Sequence, residues 1–233
     1  MVHPPLFDDL KARAPLLSVG LLTANWMTLG SELELLVSAG IKLLHFDVMD
    51  GLFAPMMTFG ASVVAGLKTP LLKDVHLMVS NPIDKLDSFV AAGADIITVH
   101  AESTSHIHRV LQSLGTKTNV NDAGRGILRG LALNPGTSLE AVRPLIEELD
   151  LVMLLAVNPG WGGQDFIASA AQRVKELRRM VGKDLLIGLD GGIKKSNISK
   201  AAELGPDIIV TGSAVFDGRS ARENVTHLLS AIQ

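Results

Sequence analysis

The run Ser38-Ala39-Gly40-Ile41-Lys42-Leu43-Leu44-His45-Phe46-Asp47-Val48-Met49-Asp50-Gly51 carries the pattern that decides the fold. A helical stretch ends on a glycine, the residue that most readily takes the left-handed conformation closing a helix. A short apolar run follows, and polar residues gather where it stops. The return phrase recurs as Ala91-Ala92-Gly93-Ala94 and as Glu203-Leu204-Gly205-Pro206.

Working outward, apolar runs predict strands over residues 16–22, 43–48, 73–78, 95–100, 126–133, 151–157, 185–189 and 207–210. Several are continuously apolar, as expected of parallel strands covered on both faces. Amphipathic stretches between them predict helices over 31–39, 61–67, 82–92, 105–114, 138–147, 168–180, 196–204 and 221–231. Asn81 before Pro82 reads as an N-cap followed by proline at the first helical position. Eight such units predict an α/β fold, a parallel eight-stranded (β/α)8 TIM barrel. It is expected as a single domain over residues 1–233, with residues 1–15 a short lead-in, helical over 7–12. A doubly wound open sheet would need a glycine fingerprint after the first strand, and Gly20-Leu21-Leu22-Thr23 is not one.

The chain has 233 residues, a net charge of -3 and no cysteine. No basic block marks a nucleic-acid or anionic-membrane partner. No segment reaches the ~18 uninterrupted apolar residues of a membrane span. Without cysteine, a metal must be held by His, Asp or Glu, and a reducing, cytoplasmic setting is expected. A polar segment over 115–125, on the face opposite the strand ends, reads as a surface loop with a role in subunit contact; a homo-oligomer is expected.

Barrel active sites lie at the C-terminal strand ends. Alternation along a strand puts His45, Asp47 and Met49 on one face. His76, in Asp74-Val75-His76-Leu77-Met78, and Asp190, in Gly188-Leu189-Asp190-Gly191-Gly192, stop two other strands. Asn25, His100, Asn134 and Asn158 obey the same rule. Taken singly, a strand-end His is more often a hydrogen-bonded structural residue. Asp50-Gly51 reads as a turn, outside the ligand set. Together His45, Asp47, His76 and Asp190 offer two imidazoles and two carboxylates. That set suits one divalent ion per subunit: Zn²⁺, Fe²⁺, Mn²⁺ or Co²⁺. Such a metal stabilises a developing enediolate. Two aspartates on opposite sides of it can take a proton from one face of a carbon and return one to the other, which is epimerisation. Each transfer contributes roughly 10²–10⁴-fold.

Asp190-Gly191-Gly192-Ile193 and Thr211-Gly212-Ser213-Ala214 end the seventh and eighth strands, each leading to a helix. Loops there make a common barrel phosphate site. Pro159-Gly160-Trp161-Gly162-Gly163-Gln164 can bring backbone over the same anion. The expected substrate is a small-molecule sugar phosphate, its phosphate about 6–8 Å from the metal.

With these motifs in view, the chain resembles the ribulose-phosphate 3-epimerase family over residues 17–216. The likeness rests on Leu44 to Gly51, Asp74 to Val79, Val157 to Gln164, Leu189 to Gly192 and Thr211 to Ala214. It implies that His45, Asp47, His76 and Asp190 are metal ligands and that Asp47 and Asp190 are the acid/base pair. It implies phosphate contacts from Gly191, Gly192, Gly212 and Ser213. It also implies a mobile lid over Gly160, Trp161, Gly162 and Gly163, and Met49 and Met78 lining the intermediate. The implied reaction interconverts D-ribulose 5-phosphate and D-xylulose 5-phosphate. Trp161 stands where the family has Phe, Gly20 replaces a substrate-contacting Ser, Leu155 replaces a third Met, and 118–125 is longer than usual. A hydroxyl contact to substrate is lost at Gly20 unless water or a shifted Ser18 supplies it. The alternatives are a 3-epimerase of another ketose phosphate, such as allulose 6-phosphate, and a non-catalytic phosphate-binding barrel. A decarboxylase needs a Lys amid the carboxylates, and none stands two residues after Asp47.

Overall fold

The computed structural model describes residues 3–233. Eight strands close into one all-parallel barrel in chain order: β1 (Leu16–Gly20), β2 (Leu43–Met49), β3 (Leu72–Met78), β4 (Ile96–His100), β5 (Leu128–Leu133), β6 (Leu151–Leu155), β7 (Leu186–Asp190) and β8 (Ile208–Thr211). The helices are α1 (Pro5–Arg13), α2 (Leu29–Ser38), α3 (Ala61–Gly66), α4 (Leu86–Ala91), α5 (Ile107–Gly115), α6 (Ser169–Val181), α7 (Ile198–Ala202) and α8 (Ala221–Ile232). Among the described residues no helix is long and apolar enough to cross a membrane.

Gly40, Gly93 and Gly205 have φ of 89°, 85° and 81°, so the three return phrases close their helices as read. Four expectations need correction. The stretch over 138–147 is not an α-helix but two 3-10 segments, Leu139–Ala141 and Arg143–Glu148. Pro144 lacks an N–H and its ring crowds the carbonyl four residues back, so a regular helix cannot pass it. Asn81 makes no side-chain cap; it sits at φ 50° and a 3-10 turn, Pro82–Lys85, precedes α4. After β8 there is one turn, in which the Val215 and Phe216 N–H groups both donate to Gly212 O, rather than a helix. The lead-in helix α1 is longer than expected and belongs to the core.

The core has two layers. The larger lies between the outer faces of the strands and the helices. On α6 the buried residues are Ala170, Val174, Leu177 and Val181, one face at helical spacing. The smaller fills the barrel with Leu43, Ile96, Leu128, Leu151, Leu186 and Ile208, and α1 plugs its lower end with Leu6, Phe7 and Leu10. Burying each such side chain contributes about 1.5–3 kcal/mol.

Three aspartates lock the same end. Asp95, Asp150 and Asp207 precede β4, β6 and β8, and each accepts a hydrogen bond from a backbone N–H of the strand before: Lys73, Arg129 and Ile187, all at 2.8 Å. Each is also paired with an arginine: Arg125, Arg129 and Arg178. Bonds to charged groups are worth about 1.5–3 kcal/mol. The 115–125 segment joins this floor, with buried Asn119 donating to Asp95 and to Gly126 O, both at 2.8 Å. The opposite end, where strands deliver polar residues, is left to the site.

Candidate active site

Parallel register sets the site. Asp47 pairs with His76 and Met49 with Met78 between β2 and β3, while Asp190 ends β7 opposite Leu155. His45, Asp47, His76 and Asp190 bring one atom each within 4.8 Å of one another. His45 Nε2 lies 3.3 Å from Asp47 Oδ1 and 3.9 Å from Asp190 Oδ2. His76 Nδ1 lies 3.5 and 3.6 Å from the same two oxygens. Both imidazoles are fully buried.

The donor set fits a divalent cation. His45 Nε2 and His76 Nδ1 are buried without a hydrogen-bond partner. His45 spends its other nitrogen on Asp74 Oδ2 at 2.7 Å, an acceptor, so Nδ1 carries a proton and, in the neutral ring, Nε2 offers a lone pair toward two carboxylates. A lone pair facing anions is unfavourable unless a positive charge stands between them. Nitrogen and carboxylate ligands at roughly 2.0–2.2 Å from one zinc ion lie at most about 4.4 Å apart, and the four separations above fall within that reach. The protonation equilibria of these groups reflect the same negative site. Burial alone would raise the Asp47 pKa, but His45, with His76, holds it well below the usual carboxylate range. Burial would lower His45, but the Asp74 and Asp47 carboxylates raise it well above its ordinary value. His76 is likewise raised, against burial, by Asp190 and Asp47.

One supporting residue, Asp74, carried no role in the sequence alone. Asp74 is fully buried and takes both His45 Nδ1 and the Ser18 hydroxyl, each at 2.7 Å. Strand alternation puts Asp74 on the face of His76, and only the β2–β3 register brings it to His45. Ser18 is therefore committed inside the barrel and does not replace the hydroxyl absent at Gly20. Asp50 stays outside the group as read: its carboxylate accepts the Leu52, Phe53 and Ser80 N–H groups.

Above the four residues lies a cavity of ≈ 310 Å³ bounded by Gly20, Met49, Met78 and Leu155, with the two glycine loops on one side. Gly191 and Gly192 have φ of 101° and 67°, and a Cβ on Gly192 would stand 2.6 Å from the Phe166 nitrogen. A Cβ on Gly212 would stand 2.6 Å from Gly20 O. Only glycine admits this close packing, and Gly191, Gly192, Gly212 and Ser213 line the cavity. Gly160, Trp161, Gly162 and Gly163 form its roof. Gln164 braces that loop, donating to Asn158 O at 2.6 Å and Trp161 O at 3.0 Å. Met49 and Met78 line the cavity and also pack with Ala54.

Comparison with known proteins agrees with this architecture. Residues 16–216 match the model of the ribulose-phosphate 3 epimerase family. The chain is 40% identical over 209 residues to ribulose-phosphate 3-epimerase of Bacillus subtilis, covering 87% of this chain and 92% of that one. It is 40% identical over 220 residues to the chloroplastic ribulose-5-phosphate-3-epimerase of Arabidopsis thaliana, covering 90% and 74%. Among solved structures, 3-hexulose-6-phosphate synthase from Salmonella typhimurium superposes with a TM-score of 0.70 at 16% identity, covering 93% and 98%, a likeness of fold. The chain belongs to the ribulose-phosphate 3 epimerase family and is an epimerase, an enzyme of the isomerase class.

Proposed function

We propose that this protein is a metal-dependent 3-epimerase of a ketose phosphate that interconverts D-ribulose 5-phosphate and D-xylulose 5-phosphate by two-aspartate proton transfer. The observation that carries the proposal is the pair of carboxylates from β2 and β7, converging with two lone-pair imidazoles at the floor of a glycine-lined cavity. His45 Nε2, Asp47, His76 Nδ1 and Asp190 would hold one Zn²⁺, Fe²⁺, Mn²⁺ or Co²⁺, which supplies Lewis-acid polarisation of a carbonyl oxygen.

The chain's own residues do the rest. The backbone of Gly191, Gly192, Gly212 and Ser213 holds the phosphate. The loop from Gly160 to Gly163 covers the substrate, and Met49 and Met78 keep water from the reacting carbon. Asp47 takes the proton from the carbon beside the carbonyl on one face. Asp190 delivers a proton to the other face, and the roles exchange in the reverse direction. No electrons are gained or lost and no organic cofactor is required.

A second reading is a 3-epimerase of a longer ketose phosphate such as allulose 6-phosphate. Gly20 favours it, because it leaves the cavity wall beside His45 without a side chain. Measuring kcat/KM side by side on ribulose 5-phosphate and allulose 6-phosphate tests the choice. The pentulose phosphate is expected to be preferred; a preference for the hexulose phosphate supports the second reading, and turnover of neither contradicts both.

A further inference from the structure

One buried polar chain remains outside the site as described. His76 Nε2 lies 2.8 Å from His100 Nε2, with the rings stacked at 4.9 Å and 19°. His100 Nδ1 lies 3.1 Å from Glu102 Oε2. Glu102 Oε1 in turn accepts the Asn134 N–H at 2.9 Å and the Thr137 hydroxyl. Both imidazoles are fully buried, so neither can turn to water for a partner.

The proton directions along this chain follow from one end. Two donors converge on Glu102 Oε1, and an ionised carboxylate can only accept, so its Oε2 is an acceptor as well. His100 must then carry its proton on Nδ1. A neutral His100 is left with a lone pair on Nε2, and that nitrogen accepts. Two imidazole nitrogens at 2.8 Å share one proton, so His76 Nε2 donates. The remaining nitrogen of His76, Nδ1, is forced to present its lone pair, and it is the atom that faces Asp47 and Asp190. Asp74 does the same for His45 in one step. Each imidazole of the four-residue group thus has its own carboxylate anchor.

We propose that Glu102 and His100 form a positioning relay that fixes the His76 proton on Nε2 and so delivers the Nδ1 lone pair to the metal group. This rests on the metal reading of His45, Asp47, His76 and Asp190. Arg173 supports the relay from behind, donating to Thr137 O at 2.7 Å and Asn134 O at 3.3 Å, the segment that grips Glu102.

Glu102→Gln separates the relay from mere packing. Its amide oxygen is expected to stay with the Asn134 and Thr137 donors, which turns the NH₂ group toward His100 Nδ1. That reverses the chain and places a proton on His76 Nδ1, pointing into the metal group. Glu102→Ala leaves His100 free to adopt either tautomer. Zn²⁺ titration of metal-free protein is expected to show a roughly 10–100-fold loss of affinity for Glu102→Gln, the range for outer partners of ligands. Glu102→Ala should lose less, with the melting temperatures of the two metal-free variants similar. Wild-type affinity in Glu102→Gln, or a greater loss in Glu102→Ala, overturns the relay. Nitrogen-15 NMR of the imidazoles in the wild-type protein, metal-free at alkaline pH and zinc-loaded, is independent of any variant. The relay requires the proton of His100 on Nδ1 and that of His76 on Nε2; a proton on His100 Nε2 overturns it. Wild-type protein that takes up no Zn²⁺ contradicts the metal reading instead, and the metal-free spectra still decide the relay.

Discussion

Replacing Asp190 with Asn tests the division of labour between the two carboxylates. The substitution keeps size and shape. The Asp190 carboxylate approaches His76 and His45 at 3.6 and 3.9 Å, too long for hydrogen bonds, so the fold loses none. The Asp190 backbone carbonyl still takes the Ala156 N–H at 2.7 Å. Melting temperature should therefore change little. Turnover should not survive. Removing one positioned proton carrier costs roughly 10²–10⁴-fold, or about 2.7–5.4 kcal/mol of barrier. Asp47 remains, half-buried beside His45 and His76, and can still exchange the proton on its own face. At saturating divalent metal in D₂O, Asp190→Asn should wash deuterium into one epimer of the substrate without inverting it. The other epimer should stay protonated. Proton NMR of the reacting carbon reads both at once. Near wild-type turnover, or equal exchange into both epimers, would refute the two-face assignment.

Three further outcomes follow from the same geometry. Gly20→Ser should fold normally, since its Cβ would stand 3.6 Å from the Gly212 Cα and N, and should shift pentulose-to-hexulose discrimination by roughly 2- to 13-fold, the worth of one neutral hydrogen bond; an unchanged kcat/KM ratio removes this position from substrate choice. Gly192→Ala forces a side chain into φ 67° and against the Phe166 nitrogen, so melting temperature should fall and KM for the sugar phosphate rise more than kcat falls; an unaltered KM would contradict the phosphate loop. For Glu102, burial works to raise its pKa, but His100, Thr137 and Asn134 donate to the ionised form and bring it to about 2, below the 4.5 of an unperturbed glutamate. Its stabilisation is full above about pH 4.5 and is lost as pH falls through about 2, so wild type should lose melting temperature more steeply than Glu102→Gln on acidification, and parallel curves would sink the point.

The barrel was legible because parallel strands buried on both faces are continuous apolar runs, and because Gly40, Gly93 and Gly205 close their helices by a local backbone rule. The helix expected over 138–147 failed for an equally local reason, Pro144, which periodicity does not weigh. The role of α1 was hidden because Leu6, Phe7 and Leu10 look like an isolated amphipathic turn until the barrel gives them an opening to plug. The convergence of His45, Asp47, His76 and Asp190 could be read from alternation and the strand-end rule alone. Their partners could not. The bond from Asp74 to His45 depends on the β2–β3 register, and that from His100 to His76 on side chains reaching between neighbouring strands. Ser18 looked free to serve the substrate only until Asp74 was seen to hold it.

In the proposed reaction one ion and two aspartates epimerise a ketose phosphate. It is tested most directly by measuring the metal content of the purified protein together with deuterium entry at C3 of ribulose 5-phosphate in D₂O. The expected result is one divalent ion per chain, deuterium at C3 of both epimers, and loss of both exchange and turnover on chelation with recovery on adding the ion back. Full-rate exchange by protein holding no metal would contradict it.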